Sequence, residues 1–174
     1  LQRGLLSLAY ARLYYWFFFR LFFGSHIDFI GKAAVRIHPS TALFMRHSRL
    51  VVDNGILSIG HVPGRSYSLG DNCRFRLERS TLRVKGSLQI RPGVCIWAMK
   101  AKVVIGNGTV VNGPPVIVSK CQVDVGAHCQ ITRNTTIMNC DMHKHAVAGG
   151  KLEDAAKQVT IGAYCRIGHN VNIL

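Results

Sequence analysis

Toward the C-terminus an aliphatic residue returns at every sixth position. Val125-Gly126-Ala127-His128-Cys129-Gln130 leads into Ile131-Thr132-Arg133-Asn134-Thr135-Thr136 and Ile137; Ile161-Gly162-Ala163-Tyr164-Cys165-Arg166 leads into Ile167-Gly168-His169-Asn170-Val171-Asn172 and Ile173. Glycine or a polar residue follows the aliphatic one, and a small residue takes the fifth place. A unit of this length makes one short strand and one turn, so three units close a triangular coil whose aliphatic residues point inward and stack on their counterparts one coil away. The pattern is legible from Leu69-Gly70-Asp71-Asn72-Cys73-Arg74 onward. Residues 24 to 68, with Leu50-Val51-Val52 and Ile56-Leu57-Ser58-Ile59-Gly60 between turn signals, read as degenerate early coils. Gly126, Gly162 and Gly168 are expected at corners that demand positive φ. Cys73, Cys129 and Cys165, at the inward fifth position, are expected to fill the core rather than to act as ligands or nucleophiles.

The ladder breaks once in this regular part. Ile137 to Ile161 is a step of 24 residues where an unbroken ladder needs six, so a loop of about 18 residues must leave the helix around 143–158. At the other end, residues 4 to 23 form an apolar, strongly aromatic segment interrupted by Arg12 and Arg20. Each arginine inside a membrane span costs about 2.5–3.5 kcal/mol, whereas a helix lying in the interface leaves both among the headgroups. Residues 1–24 are therefore expected to be a hydrophobic or amphipathic helix anchored at a membrane surface. Packing of its Trp16-Phe17-Phe18-Phe19 run on protein is the competing expectation. Residues 25–174 are expected to form the β-helix domain, cut off within a repeat at its C-terminal end.

Composition narrows the partners. Twenty-two Lys and Arg against eight Asp and Glu give a formal charge of +14, which favours anionic partners. The basic residues are dispersed and match no nucleic-acid-binding motif, so nucleic acid is not expected among them. Six cysteines without a C-x-x-C pair suit reduced, buried thiols in the cytoplasm.

The run from Ile131 through Ile137-Met138-Asn139-Cys140-Asp141-Met142-His143, the polar excursion, and the resumption at Val159-Thr160-Ile161-Gly162 resemble the hexapeptide-repeat acyltransferases, above all the sugar O-acetyltransferases of the maltose, galactoside, nodulation-factor and exopolysaccharide type. That family likewise runs an Asn-Val-Thr-Ile strand into an Asp-x-His element, loops out, and resumes with a Val-Thr-Ile-Gly coil. The resemblance covers about residues 104 to 174. It implies an all-β, left-handed parallel β-helix, a homotrimer, acetyl-CoA as acyl donor, no metal, and a sugar or glycan as acceptor. It implies His143 as general base, for which an imidazole with an ordinary pKa near 6.5 is suited. Asp141 would fix its tautomer. Asn112 and Asn134 would contact the acceptor. Arg166 and Gly168 stand where relatives carry Trp-Ile-Gly, and would contact the donor. Pro114-Pro115 departs from the family pattern beside Asn112.

With the N-terminal segment, the resemblance points to a cytoplasmic, peripherally attached enzyme at the inner membrane face, acting on polysaccharide precursors. Two other readings stand beside it. A β-helix serves equally as a noncatalytic scaffold or assembly subunit, since fold does not dictate activity. The same fold carries zinc carbonic anhydrases, although here His143-Lys144-His145 is the only close histidine pair for a metal that needs three.

Overall fold

The computed structural model describes residues 24–38, 41–60, 72–140, 144–146, 152–154 and 156–174. Apart from Gly24, the expected N-terminal anchor lies outside them. Among the described residues every regular element is a strand, and no helix is long and apolar enough to cross a membrane.

Eighteen of the strands form three parallel six-stranded sheets, visited in rotation. The first coil is β1 (His26–Ile30), β2 (Ala34–Ile37) and β3 (Ala42–Arg46); the second is β4 (Arg49–Asp53), β5 (Ile56–Ile59) and β6 (Arg74–Glu78). The third is β7 (Thr81–Lys85), β8 (Leu88–Ile90) and β9 (Cys95–Met99), and the fourth β10 (Lys102–Ile105), β11 (Thr109–Val111) and β12 (Val116–Ser119). The fifth is β13 (Gln122–Val125), β14 (Gln130–Ile131) and β15 (Thr136–Met138). After it the chain leaves the faces for an antiparallel pair, β16 (Lys144–Ala146) and β17 (Leu152–Asp154), before the sixth coil of β18 (Val159–Ile161), β19 (Arg166–Ile167) and β20 (Asn172–Ile173). The architecture is a left-handed parallel β-helix, as the hexad period implies.

The core is a set of ladders. On the third face Leu43, Phe75, Ile96, Ile117, Ile137 and Ile173 stand one above another. On the second face Ile37, Ile59, Ile90, Val111, Ile131 and Ile167 do the same. Ile90, Ile96, Ile117, Ile131 and Ile137 are wholly buried. Val125, Ile131 and Ile137 take Ile161, Ile167 and Ile173 as partners, so the helix resumes in register after the excursion.

The early coils are as regular as the late ones but wider. Their strands run to five residues, as in β4, β6, β7 and β9, against two in β14, β19 and β20. A five-residue strand turns two side chains inward, as Phe75 and Leu77 do on β6. The perimeter grows accordingly, which stretches the six-residue period. Residues 24–60 depart from the six-residue period for this reason, and in the second coil residues 60–73 further separate β5 from β6.

Cys73 and Cys129 are buried in the core and Cys165 packs against it, all as free thiols. The glycines differ from expectation. Positive φ falls two residues after Gly126 and Gly162, at His128 (56°) and Tyr164 (58°), and at Asn134 (57°) and Asn170 (60°) on the next edge. Gly126 is instead required by the approach of the next coil, because a Cβ there would lie 2.4 Å from the Ala163 nitrogen. Gly162 and Gly168 belong to the last coil, and a Cβ at Gly168 would meet nothing within 4 Å.

This contrast gives a direct test. Gly126→Ala forces two coils apart and should cost about 1–3 kcal/mol. Gly168→Ala should be neutral or add about 0.4–1 kcal/mol by restricting the unfolded chain. Urea unfolding of the two variants checks the order.

Candidate active site

The excursion departs from the edge between the third and first faces of the fifth coil, and Asn139 is the residue that fixes its neck. Asn139 is 5% exposed, and its groups are fully engaged. Its amide donates to the Val118 carbonyl at 3.3 Å. Its Nδ2 donates to Ser119 Oγ and to the Gln122 carbonyl, both at 3.2 Å. Its Oδ1 accepts the Lys120 amide at 3.0 Å. These bonds tie it to the corresponding edge of the fourth coil. Its carbonyl then accepts the amide of Lys157 at 3.1 Å, so the chain returns to the point it left. Between these ends β16 and β17 pair Lys144 with Asp154, His145 with Glu153 and Ala146 with Leu152. Asp141 and His143 lie outside the described residues. In sequence they fall between the neck and β16.

Three of the other candidates, Asn112, Asn134 and Gly168, share a different edge, between the second and third faces. Asn112 is partly buried there, and its backbone amide donates to the Ile131 carbonyl at 2.8 Å. It follows a wholly buried Val111 and precedes the cis bond Gly113-Pro114. One coil on, the amide of Thr132 donates to the Ile167 carbonyl, so Asn112, Thr132 and Gly168 occupy equivalent places in coils four, five and six. Asn134 is exposed at the same edge and donates from Nδ2 to Asn170 Oδ1 at 3.1 Å. Arg166 projects from β19 beside Gln130 and is exposed. The Gly168 carbonyl accepts Thr135 Oγ1 at 3.1 Å, and the space over its Cα is open. The structure therefore groups Asn112, Asn134 and Gly168, one strand width, that of β15, from the neck at Asn139, and leaves Arg166 on the second face.

Two features escape the hexad pattern. Thr132 is buried between Asn112 and Gly168, and its Oγ1 has no hydrogen-bond partner among the described residues. A threonine after an aliphatic residue is ordinary in a hexad, so sequence gives no sign of it. The second is a groove of about 340 Å³ on the third-to-first edge, lined among the described residues by Arg46, Glu78, Arg79, Met99, Lys100 and Lys120. These recur at irregular spacing because the early coils differ in length, and their alignment shows only in three dimensions.

Two cysteines are poorly suited to nucleophilic chemistry. Burial pushes the Cys73 thiol above its ordinary pKa, and burial also raises that of Cys95 against the opposing charge of Arg74. Both are held as thiols rather than as nucleophilic thiolates.

A stack of three-sided coils, each laying one strand on each of three parallel sheets, defines the class of fold. No protein-family model and no curated protein matches the sequence. Among solved structures the chain is similar to the crystal structure of the polySia-specific acetyltransferase NeuO, with a TM-score of 0.52 and 19% identity, covering 84% of this chain and 63% of that one. The chain thus spans less than two thirds of that protein's length, and the likeness at this identity is one of fold. The fold neighbour is an acetyltransferase.

Asn139→Ala leaves the buried Lys120 amide and Ser119 hydroxyl without their partner. A cost of about 1–3 kcal/mol is expected, with faster hydrogen exchange at the amides of Lys120 and Lys157. Thermal unfolding and amide exchange measure the two effects separately.

Proposed function

We propose that this chain is a CoA-dependent acyltransferase that O-acetylates a saccharide or polysaccharide precursor, with His143 as general base. The observation that carries the reading is the excursion at the neck. The helix is opened at the third-to-first edge of the fifth coil and closed again by the Lys157–Asn139 bond, and in sequence the opening begins with Asp141-Met142-His143. Supporting it is the fold neighbour, an acetyltransferase described as specific for polySia.

In this mechanism the His143 imidazole removes the proton of an acceptor hydroxyl while that oxygen attacks the thioester carbonyl of acetyl-CoA. Asp141 holds the imidazole in the tautomer that presents a bare nitrogen and stabilises the imidazolium that forms. Collapse of the tetrahedral adduct expels the CoA thiolate, to which the imidazolium returns the proton. No enzyme nucleophile is needed.

The described residues fit an anionic donor on the second-to-third edge. Arg166 is an exposed cation on the adjoining second face, and the uncovered backbone at Gly168 permits close approach. Asn112 and Asn134 lie along the same edge to contact the acceptor, Asn134 by exchanging its bond to Asn170. Assembly as a homotrimer would bring this edge of one copy toward the excursion of another. Residues 4–23 would hold the assembly at the inner membrane face.

Transfer of labelled acetyl from acetyl-CoA to a panel of sugars and lipid-linked oligosaccharides tests the proposal. His143→Ala should lower turnover by about 10²–10⁴-fold with CoA binding retained. Absence of transfer to every acceptor, together with absence of CoA binding by equilibrium dialysis, would instead identify a noncatalytic scaffold.

A further inference from the structure

The first face carries a groove of about 630 Å³ on its outer side, running from coil three to coil six, with Lys85, Lys102, Asn107, Gln122, Asp124 and Thr160 in its lining. Along one border Gly106 and Gly126, which the stacking of coils keeps free of a Cβ, present backbone in place of side chains. Along the other border the groove begins at the neck of the excursion, because the Gln122 carbonyl is the one that accepts Asn139 Nδ2. Coils stack at the strand spacing of about 4.8 Å, so Lys85 to Thr160 covers roughly 14 Å.

Asp124 is the fixed point of this groove. Its Oδ2 accepts Gln122 Nε2 at 2.6 Å and Gln158 Nε2 at 2.9 Å. Gln122 adjoins the neck, and Gln158 directly follows Lys157, whose amide closes it. Gln158 Nε2 is also bonded to Thr160 Oγ1 at 3.1 Å. Ordering two glutamines about one carboxylate oxygen costs rotamer entropy and holds the carboxylate in a single orientation, with Oδ1 open as an acceptor. Asn107 Oδ1 accepts the Ser87 amide at 2.8 Å, which leaves Nδ2 open as a donor. Lys85 and Lys102 are exposed, while the remaining cation of the groove, Arg83, is paired with Asp53 at 2.7 Å.

An open carboxylate oxygen set among open N–H donors matches a ligand whose groups both donate and accept, as hydroxyls do. A polyphosphate would bring its charge against Asp124, and an apolar chain would leave the polar groups of the groove without partners. Ala127, at the border of the groove, accepts the amide of Tyr164 at 2.8 Å. The Tyr164 ring is 79% exposed and stacks on His128, which puts a flat apolar surface beside the groove for the face of a sugar ring.

We infer that this groove binds an oligosaccharide through its hydroxyls and holds the sugar units that follow the one presented at the excursion. Asp124 Oδ1 accepts from one hydroxyl, and Asn107 Nδ2, Lys85 and Lys102 donate to others. The inference rests on the acyltransferase reading for the use made of the bound chain, but not for the binding itself. It places the body of the acceptor beside the excursion of the same copy, whereas Asn112 and Asn134 would meet that excursion from a second copy.

The test uses Asp124→Asn/Lys102→Gln, which keeps an acceptor for the two glutamines, turns the open oxygen into a donor and removes one ammonium group. An array of immobilised neutral and acidic oligosaccharides is probed with the unaltered chain, the double variant and His143→Ala, and the best-retained oligosaccharide is taken to titration calorimetry with and without CoA. The unaltered chain and His143→Ala should bind it alike, CoA should not displace it, and the double variant should bind it at least about tenfold more weakly while melting as the unaltered chain does. If the double variant melts lower, Lys102→Gln alone, at an exposed side chain, carries the comparison. In transfer assays the variant should raise the KM for that oligosaccharide and not that for acetyl-CoA. Retention of no oligosaccharide, undiminished binding by the folded variant, or displacement by CoA would overturn the assignment, the last by giving the groove to the donor. Binding that depends on Asp124 and Lys102, in a chain that transfers no acetyl group, would sink the acyltransferase reading and leave the groove as a saccharide site.

Discussion

Stacking of each coil on the one before it is the constraint from which the rest of this structure follows. The backbone bonds of the strands on the three faces run to the neighbouring coils, and inward side chains have counterparts directly above and below, as Ile96 has Phe75 and Ile117. A residue in such a fold answers mainly to its equivalents one coil away. The consequence is severe at the corners, where coils touch backbone to backbone and a position such as Gly106 or Gly126 has no room for a Cβ. It is lenient on the outer faces, where charge and polarity vary freely, so those faces and the edges between them are where function can be written.

Much of this was legible in the residues. The registers of Val125, Ile131 and Ile137 onto Ile161, Ile167 and Ile173 follow from counting sixes, and the burial of Cys73 and Cys129 follows from their place in the hexad. The early coils hid themselves because a longer strand adds an inward residue without changing the topology, so the period drifts while the ladder does not. Glycine misled for a related reason. Gly126 is conspicuous in sequence and suggests a left-handed corner, yet the corner is taken by His128, and the glycine answers to the coil above.

The site was legible as chemistry but not as geometry. An Asp-x-His beside a break in the hexads can be read from the chain, whereas Asn139, which closes that break, looks like one polar residue among several. Its importance depends on Ser119, Lys120, Gln122 and Lys157, which only the stacked coils bring to it. Asn112, Asn134 and Gly168 are scattered over more than fifty residues and fall on one edge because each lies near the same corner of its coil. That edge and the neck are separated by a strand of the third face, so a reaction using both requires a substrate that spans the face or a second copy that presents its own edge.

The third-to-first edge shows how such a fold secures its strained corners. Strained corners in a β-helix are cheapest with glycine or asparagine, and where they carry larger residues, a neighbour usually repays them, as Tyr164 is repaid by stacking on His128 at 5.1 Å. At Arg79 and Lys100, with φ of 49° and 51°, the hydroxyls of Ser48 and Ser80 accept the amides of Ser80 and Ala101, which secures the main chain and leaves the charges to the solvent side.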